Sequence, residues 1–405
     1  MKNLFRSLKT NLLASIAVLI FMGSMLSSCN KSENVTPVVQ KIIGVPISNP
    51  ALSGGLKGTL LSTVKNYTIT GTITIGPKDT LYVQKGVIVT ATNEKDIINV
   101  QGTLIIDGTQ DNPTTFTSTT KKQGTWGGFA CDSAKSVSIK WTHIEYCGGP
   151  DAGGFARRSI VISKPIPVTL EDSWITGGAD DGILLAGGCT VSILRNTIEG
   201  EGKSDGECIN IKTGATGVVA YNVIMRGAGT GIKLETSATV LNPQTEISVY
   251  NNTVIGAGFR RGAAEPGRGV SVDKNAIGHV YNNVLVNDYY GLDIQQAADG
   301  KKTTYDYNYF YSTIDSTRQF FYPQASLGVP APHDIIVKDK ADGNPMKFTN
   351  FDSSILEYNA DFTFISPMNA TNPKPLPGSP LIGSGNPTYN ADMGAYTSDG
   401  KGNKH

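Results

Sequence analysis

One short phrase keeps returning through the middle of the chain, and it restricts the possible folds more than any bulk property. An apolar strand runs into an asparagine, a second short apolar run follows, and a strand of the form Gly-apolar-x-apolar completes the unit. The asparagines are Asn196, Asn222, Asn252, Asn283 and Asn308, with Asp172 in the same place one unit earlier, a period of roughly 24 to 31 residues. The strands that close the units are 182–185, 209–211, 231–234, 269–272 and 291–294, all but the second led by glycine. Each unit thus holds three strands, too short for helices and without helical periodicity.

A single unit of this kind cannot bury its apolar face. Units must therefore stack, each strand pairing with its copy about 4.8 Å above in a parallel sheet. The predicted fold is all-β, a parallel β-helix, and the asparagine column supports it independently. Asparagine tolerates bend conformations, and stacked copies can hydrogen-bond along the solenoid axis as a ladder. The pattern resembles the right-handed, three-sheet β-helix of the pectin-lyase-like superfamily, whose asparagine ladder lies between its second and third sheets. That resemblance implies that the strands ending at Asn form sheet two, those such as 197–198 and 254–255 sheet three, and the glycine-led strands sheet one.

A solenoid grows in one dimension, so most of 405 residues fit one elongated domain. The net charge of +1, from 35 Lys plus Arg against 34 Asp plus Glu, supplies no basic field for nucleic acid. The expected organisation is a leader over 1–28, a lipidated cysteine and tether over 29–50, the β-helix over 51–310, and last coils with an irregular C-terminal cap over 311–405, acting as a monomer.

At the start, Lys2, Arg6 and Lys9 precede an apolar run over 12–26 that ends in Leu26-Ser27-Ser28-Cys29. This reads as a secretory signal, and the small residues before the cysteine resemble the lipobox of bacterial lipoproteins. The resemblance implies lipid on Cys29, and Asn30 rather than Asp after it implies the outer membrane. Further on, 102–109, 113–118 and 126–128 resemble the opening coils of secreted bacterial β-helix lipoproteins. His143 falls at a coil bend and reads as structural, and four scattered histidines without metal-ligand spacing provide no metal site. Cys131, Cys147, Cys189 and Cys208 read as buried free thiols. The alternation Tyr305, Tyr307, Tyr309, Tyr311 reads as an aromatic plug on the last coil, and 377–396 as a cover for the solenoid's open end.

By the resemblance, substrates lie along the outside of sheet one. Within its strands the x position and the one after the second apolar residue point outward. The first column reads Leu184, Asn210, Lys233, Ser271, Asp293, and the second Ala186, Lys212, Glu235, Asp273, Gln295. Two long loops flank this height: 256–269, with Arg260, Arg261, Glu265 and Arg268, and 236–246. Asn210, Lys212, Arg260, Arg261, Arg268 and Asp293 are the candidate substrate-binding residues, and Lys233, Glu235 and Asp273 the candidate catalytic ones. A uronate lyase must neutralise a carboxylate, remove a proton and stabilise the anion, work suited to Lys233, Lys212 and Arg268 and often aided by calcium. A glycoside hydrolase needs two carboxylates, for which Glu235 and Asp273 on neighbouring strands are candidates. The same residues equally suit a mutually neutralising charged sheet face. Asp180-Asp181 resembles the paired aspartates of β-helix polygalacturonases, but the Gly-His-Gly and Arg-Ile-Lys signatures of that family are absent, and Asp181-Gly182 reads as a turn.

The expectation is a lipid-anchored protein of the outer membrane, on its periplasmic or outer face, that binds or processes an acidic polysaccharide along sheet one. A polysaccharide lyase proper and a non-catalytic surface scaffold or adhesive protein are the alternatives, since fold alone does not confer activity. The anchoring is directly testable. Membrane fractions should hold the mature wild-type protein, and Cys29→Ser should leave it unprocessed by lipoprotein maturation and free of the membrane after washing; unchanged processing and partitioning in that variant would refute the lipobox.

Overall fold

Successive coils rise in register because each strand finds its copy one turn later, and three columns of parallel strands result. The computed structural model describes residues 41–237, 239, 241–261, 265–339, 343–352 and 371–405. Cys29 and the leader lie outside these residues. Sheet two is an 11-stranded parallel sheet that starts at Pro46–Ile47, passes through Thr190–Leu194, Thr216–Ala220, Glu246–Tyr250 and Ile277–Tyr281, and ends at Thr304–Asp306. Sheet one climbs through Ile160–Ile162, Ile183–Leu185, Ile209–Ile211, Ile232–Glu235, Arg268–Asp273 and Tyr290–Ile294. Sheet three includes Thr142–Glu145, Trp174–Thr176, Thr197–Glu199, Val223–Met225, Thr253–Ile255, Val284–Val286 and Tyr309–Tyr311, and closes with Ile335–Val337. In the first coils sheets three and one are continuous, because the strand Asn66–Ile75 serves both. The architecture is the right-handed parallel β-helix expected from the period.

Alternation places Val191, Ile193, Ile198, Ile209 and Ile211 inward in one coil, and the columns they belong to form one apolar core running up the axis. Cys131, Cys147, Cys189 and Cys208 are buried within it as free thiols.

The bend between sheets two and three takes two residues with distinct tasks. The first adopts a left-handed conformation in coil after coil: Trp141, Asp172, Arg195, Tyr221, Asn251, Asn282 and Tyr307 all have φ between 48 and 59°. The second lies on the ladder. The Nδ2 of Asn196, Asn222, Asn252 and Asn283 each donates to the Oδ1 of the next rung's asparagine at 2.9–3.1 Å, and to a sheet-two carbonyl such as Val219 O at 2.9 Å. Each Oδ1 also accepts the backbone N–H of the rung below, as Asn252 Oδ1 does from Asn222 at 3.1 Å. Asp172 therefore does not share the asparagine position: Ser173 does, its N–H donating to Asn196 Oδ1 at 3.0 Å and its Oγ accepting the Thr142 N–H at 3.1 Å. At the other end Asp334 continues the ladder, accepting the Asn308 N–H at 2.9 Å.

The last coil is closed by aromatic side chains. Phe310 meets Phe321 at 5.7 Å and Tyr322 at 5.1 Å between ring centroids, and the Phe321 carbonyl accepts the Leu292 N–H at 2.9 Å. The segment 377–396 does not cover this end. It runs back along the outer flank of sheet three, because that sheet's outward residues there are apolar: Val223, Met225, Ile255, Val284, Val286, Tyr309 and Tyr311 form a second core with Met346, Phe348, Leu381, Met393, Ala395 and Tyr396. Asn251 donates to Asp392 O at 2.7 Å, Gly394 N–H to Asn282 O at 2.8 Å, and Tyr389 stacks on Tyr281 at 4.7 Å.

Removing one ladder amide orphans buried donors and acceptors on both neighbouring rungs. Asn252→Ala should destabilise the protein by roughly 2 to 4 kcal/mol, seen as a lower denaturation midpoint, whereas Asn93→Ala in an exposed turn should change little. Equal midpoints for the two variants would contradict the ladder's role.

Candidate functional site

The glycines that lead into sheet one mark close approach between coils. A Cβ on Gly231 would lie 2.6 Å from Val254 Cγ1 and 2.8 Å from Gly269 O, and one on Gly291 would lie 2.4 Å from Phe321 O. This contact sets the outward columns directly above one another, and with them the charges.

At the centre is Glu235. Its carboxylate, on a residue only 4 % exposed, receives the ammonium groups of Lys274 at 2.9 Å, Lys233 at 3.0 Å and Lys212 at 3.6 Å. Burial alone would raise the Glu235 pKa, but the three lysines overcome it and hold the pKa below the ordinary value. Burial likewise opposes charge on Lys233, yet Glu207 and Glu235 outweigh it and raise its pKa. Lys233 Nζ lies 3.3 Å from Glu207 Oε1, which also accepts from Arg261 at 2.6 Å. Arg261 continues to Asp205 and Glu265, both at 3.0 Å. Asn210 donates to Asp181 at 3.0 Å and to Glu207 at 3.3 Å.

Asp181 and Glu207 lie side by side, joined by the Asn210 amide and by the Glu207 N–H, which donates to Asp181 Oδ1 at 2.8 Å. Burial and the adjacent Glu207 push the Asp181 pKa far up, while for Glu207 the cost of burial is overcome by Asp181, Lys233 and Arg261. Arg158 borders the pair, 3.2 Å from Asp180 and 3.9 Å from Asp181.

The candidates from sequence thus divide. Lys212, Lys233, Glu235, Asn210 and Arg261 converge in one network. Asp273 pairs in register with Glu235, and its carboxylate accepts the Lys274 N–H at 2.8 Å. Arg268 and Asp293 form their own ion pair at 2.8 Å, with the guanidinium 5.7 Å from the Tyr290 ring centre. Arg260 turns to backbone carbonyls, reaching Glu201 O and Gly202 O at 3.0 Å and Lys203 O at 3.1 Å, and so ties the 256–269 loop to the wall of the face. The expectation of freely exposed ionisable columns needs correction: Asn210, Glu235 and Asp293 are 3, 4 and 5 % exposed. Mutual pairing covers them: Asn210 with Asp181 and Glu207, Glu235 with its three lysines, and Asp293 with Arg268. Glu207 and Lys274 were not singled out from sequence, and Asp181 was read only as part of a turn, since all three occupy bends beside the strands where two-residue alternation stops applying. Among the described residues no group of three or more His, Cys, Asp or Glu side chains is arranged to hold a metal ion.

The same wall contains Glu201, fully buried, accepting the Gly178 N–H and the Ser159 hydroxyl at 3.2 Å each. Burial raises its pKa from 4.5 to about 8. A carboxyl raised on folding contributes stability that is complete below its unfolded pKa and is lost as pH climbs towards the folded one. Glu201→Gln, which retains both hydrogen bonds, should leave the unfolding temperature almost unchanged at pH 4.5 and raise it by several degrees at pH 8. An effect independent of pH would show that Glu201 folds already ionised.

Residues 56–149 match the family model described as a pectate-lyase like beta helix domain, and residues 163–310 the one described as a right handed beta helix region. No curated protein and no solved structure matches the chain. Two family models spanning most of the solenoid, together with its three columns of parallel strands, make the chain a pectin-lyase-like right-handed β-helix protein, a fold consistent with polysaccharide binding or processing.

Proposed function

We propose that this protein binds an acidic polysaccharide along the outer face of sheet one, tethered to the outer membrane through lipid on Cys29. The observation that carries the reading is the set of three ammonium groups around the single Glu235 carboxylate. Lys233 is shared with Glu207, so Lys212 and Lys274 are the cations that stand outward over the buried carboxylate. The carboxylate is the buried member, with its side chain 5 % exposed, while Lys212 and Lys274 face outward at 34 and 39 %. A sugar carboxylate or sulfate arriving from solvent therefore meets the lysines and not the acid beneath them.

Binding is favoured over cleavage by the state of the carboxyls. Glu235 is held ionised by its lysines, which suits an anchor for cations and not a proton donor. The Asp181 and Glu207 carboxyls are held side by side on the Asn210 amide, with Glu207 also taken by Lys233 and Arg261. Two-carboxylate glycoside hydrolysis places its groups about 5 to 9 Å apart, with the sugar between them. Calcium, which a lyase would recruit, would have to displace lysines already seated on Glu235.

The test is retention on immobilised acidic and neutral polysaccharides across a salt series. Wild-type protein should bind the acidic ones, less strongly as ionic strength rises. The double substitution Lys212→Ala with Lys274→Ala, leaving Lys233 beside Glu235, should weaken binding roughly tenfold or more, with circular dichroism showing the β-fold retained. Undiminished binding in that variant would reject this site, and release of unsaturated sugar products would favour a lyase instead.

A further inference from the structure

Among the described residues, Phe155 is the one aromatic that stands fully in solvent, at 74 % exposure. Single exposed apolar residues are ordinary, but this one is held rigidly. Asp151 accepts the N–H groups of Gly153 and Phe155 on one carboxylate oxygen at 2.8 and 3.0 Å, and its own N–H donates to Phe155 O at 2.8 Å. Pro150 and Ala156 bridge the base of the loop, and Arg157 donates to Gly149 O and Pro150 O. The ring folds back on Gly153, where a Cβ would lie 3.1 Å from it. The loop backbone is thus ordered by its own hydrogen bonds, and the ring stands beside Gly153 with most of its surface open to solvent.

Its place in the fold gives the ring a direction. Residues 149–158 lead into Ile160–Ile162 of sheet one, on the flank from which 256–267 lead into Arg268–Asp273. From Ile160–Ile162 the strands step through Ile183–Leu185 and Ile209–Ile211 to Ile232–Glu235 and then Arg268–Asp273. Lys212, Lys233 and Lys274 therefore lie two to four rungs away, roughly 10 to 19 Å along the axis. Arg158, bonded to Asp180, joins the loop to the wall between them.

We propose that Phe155 is a stacking subsite for a sugar ring of the same glycan whose acidic groups sit on the lysines. A pyranose presents a C–H face that an aromatic ring can cover, and an extended glycan advances by about one strand spacing per residue. The two contacts are then spanned only by a chain of several sugars. This rests on the sheet-one reading, and it makes a prediction that reading alone does not: affinity depends on oligomer length in a way that runs through Phe155.

The experiment measures binding of acidic oligosaccharides, homo-oligomers of galacturonate and of glucuronate from dimer to octamer, to the intact protein. Wild-type affinity should step upward once the oligomer is long enough to reach from the lysines to Phe155. Phe155→Ala should lose that step, weakening octamer binding roughly three- to tenfold while dimer binding is unchanged. Phe155→Trp should restore it, and Asp151→Ala, which loosens the loop without removing the ring, should lose part of it. If wild type and Phe155→Ala follow the same length dependence, the subsite is overturned while the lysine site stands. If no acidic oligomer of any length binds the wild type, both are overturned.

Discussion

Each bend of the solenoid leaves backbone N–H and carbonyl groups facing away from both adjoining strands, and the stack can exist only if they find partners. The ladder provides them. One asparagine amide donates upward to the next rung and sideways to a strand carbonyl, while its oxygen accepts two N–H groups from the rung below. No other neutral side chain of that length carries both functions at once. Where the column changes residue, the reach shortens. Ser173 and Thr142 at the lower end hydrogen-bond through a hydroxyl, and Asp334 at the upper end accepts without donating onward.

Once the ladder fixes the vertical register, the charges on sheet one have no freedom to avoid one another. Asn210, Lys233, Ser271 and Asp293 are stacked by the pairing, as are Lys212, Glu235 and Asp273. Pairing relieves this: Lys212, Lys233 and Lys274 surround the Glu235 carboxylate, and Arg268 takes Asp293. The face is therefore fixed in geometry, with the ammonium groups of Lys212 and Lys274 outward of the Glu235 carboxylate.

The coil order could be read from the sequence because the ladder residue and the inward columns repeat at a fixed place in each unit. Asp172 shows where the reading slips. Its acidic side chain resembles asparagine in shape, yet it occupies the left-handed position that other coils fill with Trp141, Arg195 or Tyr221, residues no propensity would nominate. The strap along sheet three was equally hidden, because it follows from apolar residues on the outer side of Val223–Met225 and Val284–Val286, which a count of inward columns ignores. In the site, Lys233 and Glu235 followed from alternation, but Glu207 and Asp181 precede the strands, and only the folded bends bring their carboxyls together. Burial was likewise out of reach, since it depends on which side chains pair across neighbouring coils.

The central claim is that the lysine-lined face of sheet one is where an acidic glycan sits, and lysine footprinting addresses it without any substitution. Limited acetylation of the intact protein, with and without a polyuronate, followed by peptide mass spectrometry, reports the accessibility of each ammonium group. Lys212 and Lys274 should become protected in the presence of the polyuronate, while Lys78 and Lys122, exposed elsewhere on the solenoid, should react as before. Unchanged reactivity at Lys212 and Lys274 with protection confined to other lysines would contradict the account.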